Sequence, residues 1–128
     1  MEITFEGGKK VVAEHRGQRI VTDQPKGSGG DGSAPAPFDL FLASLGTCAG
    51  FYVLDFCQAR DLPTDGIKLT QDITFDSTVR RITRIDQKIH LPAGFPEKYE
   101  AALVRSAALC AVKKHLENAP EIDVQVAR

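Results

Sequence analysis

Pro37-Phe-Asp-Leu-Phe-Leu-Ala-Ser-Leu-Gly-Thr-Cys48 is the stretch that decides how this chain is read. Proline fits the first turn of a helix, and Asp39, two residues later, favours the positive end of the helix dipole. The pattern predicts a helix from Pro37 to about Arg60. Leu40, Phe41, Leu42, Leu45, Phe51, Tyr52, Val53, Leu54 and Phe56 make it apolar on nearly every side. A helix of that kind is buried on most sides. A single layer of sheet from a 128-residue chain leaves part of it uncovered, so an obligate homodimer with a largely hydrophobic interface is expected.

Upstream, Ile3-Thr-Phe5 and the stretch from Lys10 to Asp23 read as short strands, with turns at Gly7-Gly8 and Arg16-Gly17-Gln18. Gln24 to Ala36 is a loop rich in Gly, Pro, Ser and Asp. Downstream, Leu62-Pro-Thr-Asp-Gly66 ends the helix. Ile67, Leu69, Ile73 and Phe75 then alternate with polar residues, which predicts a strand with one buried face. A loop around Asp76-Ser-Thr78 leads into a hairpin partner, Val79 to Leu91. Pro92 to Pro96 breaks that strand, and a second helix runs from Glu97 to about Asn118. After Pro120, Ile122, Val124 and Val126 alternate as a last strand. The order βββ-α-ββ-α-β over residues 1–128 predicts one α+β domain with a mostly antiparallel sheet.

Composition narrows the function classes. The hydrophobic fraction of 42% and charged fraction of 26% are those of a soluble globular protein. The net charge is −1 and no run of like charges exceeds two residues, which gives no footprint for nucleic acid or an anionic membrane. The first residues lack a basic segment followed by an apolar one, so no secretory signal is expected. The charge-free run Leu40 to Leu54 is too short to span a bilayer. Three cysteines, Cys48, Cys57 and Cys110, suit a reducing compartment, and a cytoplasmic location is expected. With no Cys-x-x-Cys and no close Cys/His pair, a zinc site is not expected.

Gly27-Ser-Gly-Gly-Asp-Gly32 matches G-x-G-x-x-G, but Ala-Pro-Ala-Pro separates it from the helix. A dinucleotide site needs the glycines to join a strand directly to a helix, so this is a loop and a decoy. Arg80, Arg84 and Lys88 read as a solvated strand face. His15, His90 and His115 are scattered without ligand spacing, and no G-x-S-x-G elbow occurs. Cys48 stands apart because Gly46 and Gly50 flank it inside a helix, where each glycine costs about 1 kcal/mol relative to alanine. The pair predicts a notch that another backbone or a substrate approaches, although a cysteine among glycines is equally a small packed hydrophobe. Cys48 and Cys57 lie about 13 Å apart along one helix and on opposite faces. A disulfide needs Cα atoms closer than about 7 Å, so those two do not bridge. Cys110 lies on the second helix, and only tertiary packing chooses its partner.

The segment Pro37 to Cys48 resembles the Pro-x-x-Leu-x-x-Ala-x-x-x-x-Cys helix of the osmotically inducible protein C and organic hydroperoxide resistance (OsmC/Ohr) family. Ser106-Ala-Ala-Leu-Cys110-Ala-Val112 resembles its second cysteine segment. The resemblance extends through the glycine-rich loop and the strand pair Gly66 to Leu91. It implies an intertwined homodimer, with sheets wrapped around two long central helices and active sites at the subunit interface. It further implies a thiol-dependent peroxidase in which Cys48 attacks an organic hydroperoxide, Cys110 resolves the sulfenic acid and an external dithiol reduces the disulfide. No metal or flavin is required. A non-catalytic protein binding an acyl group or other small molecule in the same interface pocket is the alternative. The family takes an activating arginine from the N-terminal hairpin, where Arg16 sits at the matching turn and Arg19 close by. Three departures mark a divergent OsmC-like branch. Phe38 stands where well-characterised members carry glutamate, Asp39 offers a carboxylate one position later, and Ala111 follows Cys110 where those members have proline.

Overall fold

The computed structural model describes all residues, Met1 to Arg128, and divides into two compact units, Met1–Ala43 and Ser44–Arg128. The first contains strands β1 (Glu2–Phe5), β2 (Val11–His15) and β3 (Gln18–Thr22), joined as an antiparallel sheet in that order. His15 pairs with Gln18, so Arg16 and Gly17 form the two-residue turn between β2 and β3. Both have positive φ, 50° and 75°, as a type I′ hairpin turn demands. Val12 and Asp23 are buried here. Asp23 organises the glycine-rich loop: its carboxylate accepts from the backbone N–H groups of Gln24, Asp31 and Ser33 and from the Ser33 hydroxyl. These bonds, the Ser33 hydroxyl first, hold its pKa down at about 2. A Cβ at Gly30 would lie 2.0 Å from the Gln24 carbonyl oxygen, so the loop closes this tightly only on glycine. The G-x-G-x-x-G match is thus a loop wrapped on a buried aspartate.

Helix α1 spans Pro37–Gln58, and the boundary between the units falls within it. The second unit adds a hairpin of β4 (Lys68–Asp76) and β5 (Arg81–His90), then α2 (Glu100–Ala107) and α3 (Ala111–Glu117). Its core gathers Val53, Phe56 and Cys57 from α1 with Leu103 from α2, and Leu69, Ile89 and Leu91 pack against them. The fold is α+β with antiparallel sheets, as the strand and helix pattern predicts. At the hairpin turn the Asp76 carboxylate accepts the Thr78 and Val79 N–H groups. Arg84 pairs with Asp86, and Lys88 with Asp72, which leaves that strand face solvated and self-paired.

Two expectations need correction, the continuous second helix and the last strand, and two on burial are qualified. The second helix is not continuous. Cys110, with φ −42° and ψ 120°, leaves the helical region, and its sulfur accepts the Lys113 N–H at 3.4 Å as the cap of a new helix. The chain therefore has one long helix and two short ones. Next, a single copy covers α1 along one stripe, Leu45, Ala49, Val53, Phe56 and Cys57, and leaves Phe51 58% and Phe38 55% exposed, as expected of a helix that one layer of sheet does not cover. By length and composition α1 also meets the requirement for a membrane span, which the shorter charge-free run does not; its buried stripe is the pattern of a core helix. Third, the β4 alternation has a covered face only near Leu69, since Ile73 and Phe75 are exposed beyond it. Finally, Ile122, Val124 and Val126 form no strand. A period-two pattern becomes a strand only where an edge accepts its backbone, and this stretch pairs with none.

Candidate active site

Cys48 sits a little past the middle of α1, half-buried, and Cys110 is buried at the break between α2 and α3. Both belong to the second unit. Their thiols are hydrogen-bonded to each other, with the Cys110 S–H donating to the Cys48 sulfur. The break brings this about. A continuous helix would keep the backbone N–H groups after Cys110 inside its own ladder. Restarting the helix at Ala111 frees those of Ala111 and Val112, and both donate to the Cys48 sulfur.

The two thiols are driven apart in acidity. The Val112 N–H lowers the Cys48 pKa most, and the Cys110 thiol and Ala111 N–H lower it further against a burial penalty. Cys110 moves the opposite way. Burial raises its pKa, and its bond to Cys48 and the Cys48 charge raise it further, opposed by the Lys113 and Val112 N–H groups. The pair loses its first proton at Cys48, and Cys110 stays protonated as the donor. With Cys48 neutral, the Leu45 carbonyl is the other acceptor within reach of the Cys110 thiol, at 3.8 Å.

Gly46 does not open onto a substrate. The Gln71 amide oxygen lies 3.5 Å from where its Cβ would be, and Gln87 bridges Gln71 to the Leu45 carbonyl. Gly50 meets nothing within 4 Å and is the open position of the two. Cys57 is fully buried in the core, and its thiol is pushed up by burial, with the Arg60 charge opposing. Arg16 lies in the first unit at the β2–β3 turn. Arg19 is tied to both carboxylate oxygens of Glu6. The expected cation is not among the groups that lower the Cys48 thiol; all of them come from residues 110–112. Asp39 lies in the first turn of α1, and the Phe38 ring packs on Phe41, centroids 5.3 Å apart.

Sequence reasoning missed the two backbone donors. One departure held the signal: a proline after Cys110 has no N–H, whereas Ala111 has one and gives it to Cys48. It also missed Asp23, whose signal is an acid at a strand end followed by a glycine-rich loop.

The fold is α+β with antiparallel sheets; its long helix carries Cys48 and Cys57, and it sets Cys48 against Cys110 at the break of the second helix. The chain belongs to the OsmC-like protein family, whose model matches residues 30–125. Among solved structures it is similar to an osmotic stress induced and detoxification response protein from Psychrobacter arcticus 273-4. The two share 23% identity over 88% of this chain and 84% of that one, with a TM-score of 0.74. It is also similar to an organic hydroperoxide resistance protein, OsmC, from Legionella pneumophila, at 18% identity over 90% of this chain and 87% of that one, with a TM-score of 0.59. At these identities the likeness is one of fold. No curated protein matches the chain.

Proposed function

We propose that this protein is a thiol-dependent peroxidase acting on organic hydroperoxides. The observation that carries the reading is the Cys48–Cys110 contact, in which one thiol is made more acidic and its neighbour less so. The Cys48 thiolate attacks the O–O bond, the bond breaks, and the alkoxide leaves as an alcohol after taking a proton. Cys48 becomes a sulfenic acid. The Cys110 sulfur then displaces hydroxide from it, releasing water and forming a disulfide. An external dithiol reduces that bond by exchange and is itself oxidised to a disulfide. Arg16 is proposed as an additional positive charge at the thiolate. Its support is that Arg19 is already paired with Glu6, while no acid pairs with Arg16.

A cytoplasmic homodimer without nucleic-acid or membrane partners completes the reading. Exposed Phe51, Leu54, Ile73 and Phe75, together with the apolar side of the tail at Ile122, Val124 and Val126, support a second copy of the chain as the cover. Sedimentation should give a dimer at micromolar concentration; a folded monomer would remove this part of the proposal. The direct test of the enzyme is dithiothreitol-dependent consumption of cumene hydroperoxide, expected for the wild type and absent in Cys48→Ser. No turnover by the wild type would leave the second reading, binding of an acyl or other apolar molecule without chemistry. A cavity of about 290 Å³ with Leu69, Ile89, Leu91 and Leu103 in its lining supports that reading.

A further inference from the structure

A second cavity, of about 370 Å³, lies between α1 and α2 in the same unit, and its character is different. Arg60 and Arg105 both line it. Arg60 is fixed in place: its guanidinium carbon stands 3.7 Å from the centroid of the Phe56 ring, and one N–H donates to the Phe56 carbonyl at 3.1 Å. A guanidinium carries five N–H donors, so most of that fork stays unspent. No carboxylate forms an ion pair with either arginine. Asp55 is the one acid in the lining, which leaves a net positive charge facing the groove. Apart from Ser106 the remaining walls are apolar, with Phe56 and Ala59 on one side and Ala102 and Leu109 on the other.

We infer that this groove is a binding site for a small molecule with a terminal oxyanion, a carboxylate or phosphate, on an apolar body. The planar fork of arginine matches both groups bidentately, and stacking on Phe56 orders it in advance. Direction follows from helix geometry. Cys48, Tyr52 and Asp55 succeed one another at spacings of four and three residues and so share one stripe of α1, which Ala59 continues just past the helix end, its N–H donating to the Asp55 carbonyl. Asp55 is about 10 Å along the axis from Cys48. Ser106 on α2 and Leu109 just beyond its end lead from the groove towards Cys110, and the Ser106 hydroxyl donates to the Tyr52 carbonyl. With its oxyanion at Arg60 and Arg105, the ligand's apolar body runs along this wall toward the thiol pair. Binding requires no turnover at Cys48, so the site stands or falls separately from the peroxidase.

Calorimetric titration of the reduced Cys48→Ser protein with octanoate, octyl phosphate and 1-octanol tests it. Both anions, or one of them, should bind at least about tenfold more tightly than the alcohol, the difference expected for charge-assisted hydrogen bonds. Which anion binds better identifies the head group. Raising the salt should weaken anion binding and leave the alcohol unaffected. Arg105→Gln, an exposed change on α2, should weaken anion binding about tenfold. Arg60→Lys keeps the charge but loses the fork, and should weaken it less. The inference is overturned if 1-octanol binds as well as octanoate and octyl phosphate, or if Arg105→Gln binds the anions unchanged. Because Arg105 makes no ion pair, circular dichroism of Arg105→Gln should match the parent, which keeps the result interpretable even if Arg60 variants unfold.

Discussion

Cys48 and Cys57 stand nine residues apart on one helix, and α1 delivers them to opposite surroundings. Cys57 faces the packed core with Val53, Phe56 and Leu103, where the charged form has little to stabilise it, and its pKa goes up. Cys48 meets the break between α2 and α3, where two backbone N–H groups and a thiol donate to it, and its pKa goes down. The residue type is the same and the helix is the same. What separates the two thiols is whether the neighbouring element brings hydrogen-bond donors or side-chain carbon.

The sharpest way to break this comparison is to exchange the cysteines one at a time. Cys48→Ser should lower peroxide turnover by a factor on the order of a thousand or more. Cys57→Ala should leave turnover unchanged and cost about 1 kcal/mol of stability through the small cavity it makes. Peroxide assays and denaturant titrations measure the two effects, and a turnover defect in Cys57→Ala would undo the distinction. Next in size is Cys110→Ser. Dithiothreitol-driven turnover should slow, and after one equivalent of alkyl hydroperoxide sulfenic acid should persist on Cys48, detectable by dimedone trapping and peptide mapping. The wild type should instead give a Cys48–Cys110 bridge with Cys57 free.

Arg16→Ala asks whether a cation adds to the backbone donors. We expect about a tenfold slower reaction of Cys48 with peroxide, the size of one charge-assisted contact, with Arg19→Ala as the control. A silent Arg16→Ala would leave residues 110–112 as the whole source of acidity. Ala111→Pro is a smaller perturbation. The position is the first residue of α3, where proline is favoured, and Cys110 already has the extended ψ that a following proline requires. The helix should survive and Cys48 lose one donor, raising its pKa and slowing alkylation near neutral pH by about two- to fivefold.

The smallest effect is on stability against pH, and its sign differs between the two thiols. Cys57 has a raised pKa, so above about pH 8.5 the unfolded chain releases this proton while the folded chain keeps it. Stability should fall as pH rises through that window, and Cys57→Ala should flatten the slope. Cys48 has a lowered pKa and contributes in the opposite sense: its share is present above the ordinary thiol value and lost as pH falls through the folded one. Alkaline denaturant titrations of the single-cysteine variants separate the two slopes.

The sequence by itself determined what depends on neighbours along the chain. Pro37 and the apolar run after it specify α1, the alternation from Ile67 to Phe75 specifies β4, and Arg16-Gly17 specifies a hairpin turn, because each follows from the repeat of one element or the φ of one or two residues. The separation of Cys48 from Cys57 follows from helix geometry alone. Only the tertiary structure decided which thiol Cys110 meets. Residues 97–118 carry the composition of one continuous helix, and nothing local marks a break at Cys110. The break also decides which N–H groups are left without helical acceptors, and therefore where the acidity of Cys48 comes from. The tail from Ile122 to Val126 shows the same division. Its period is written in the sequence, but a strand also needs an edge to bond, and that edge must come from elsewhere in space.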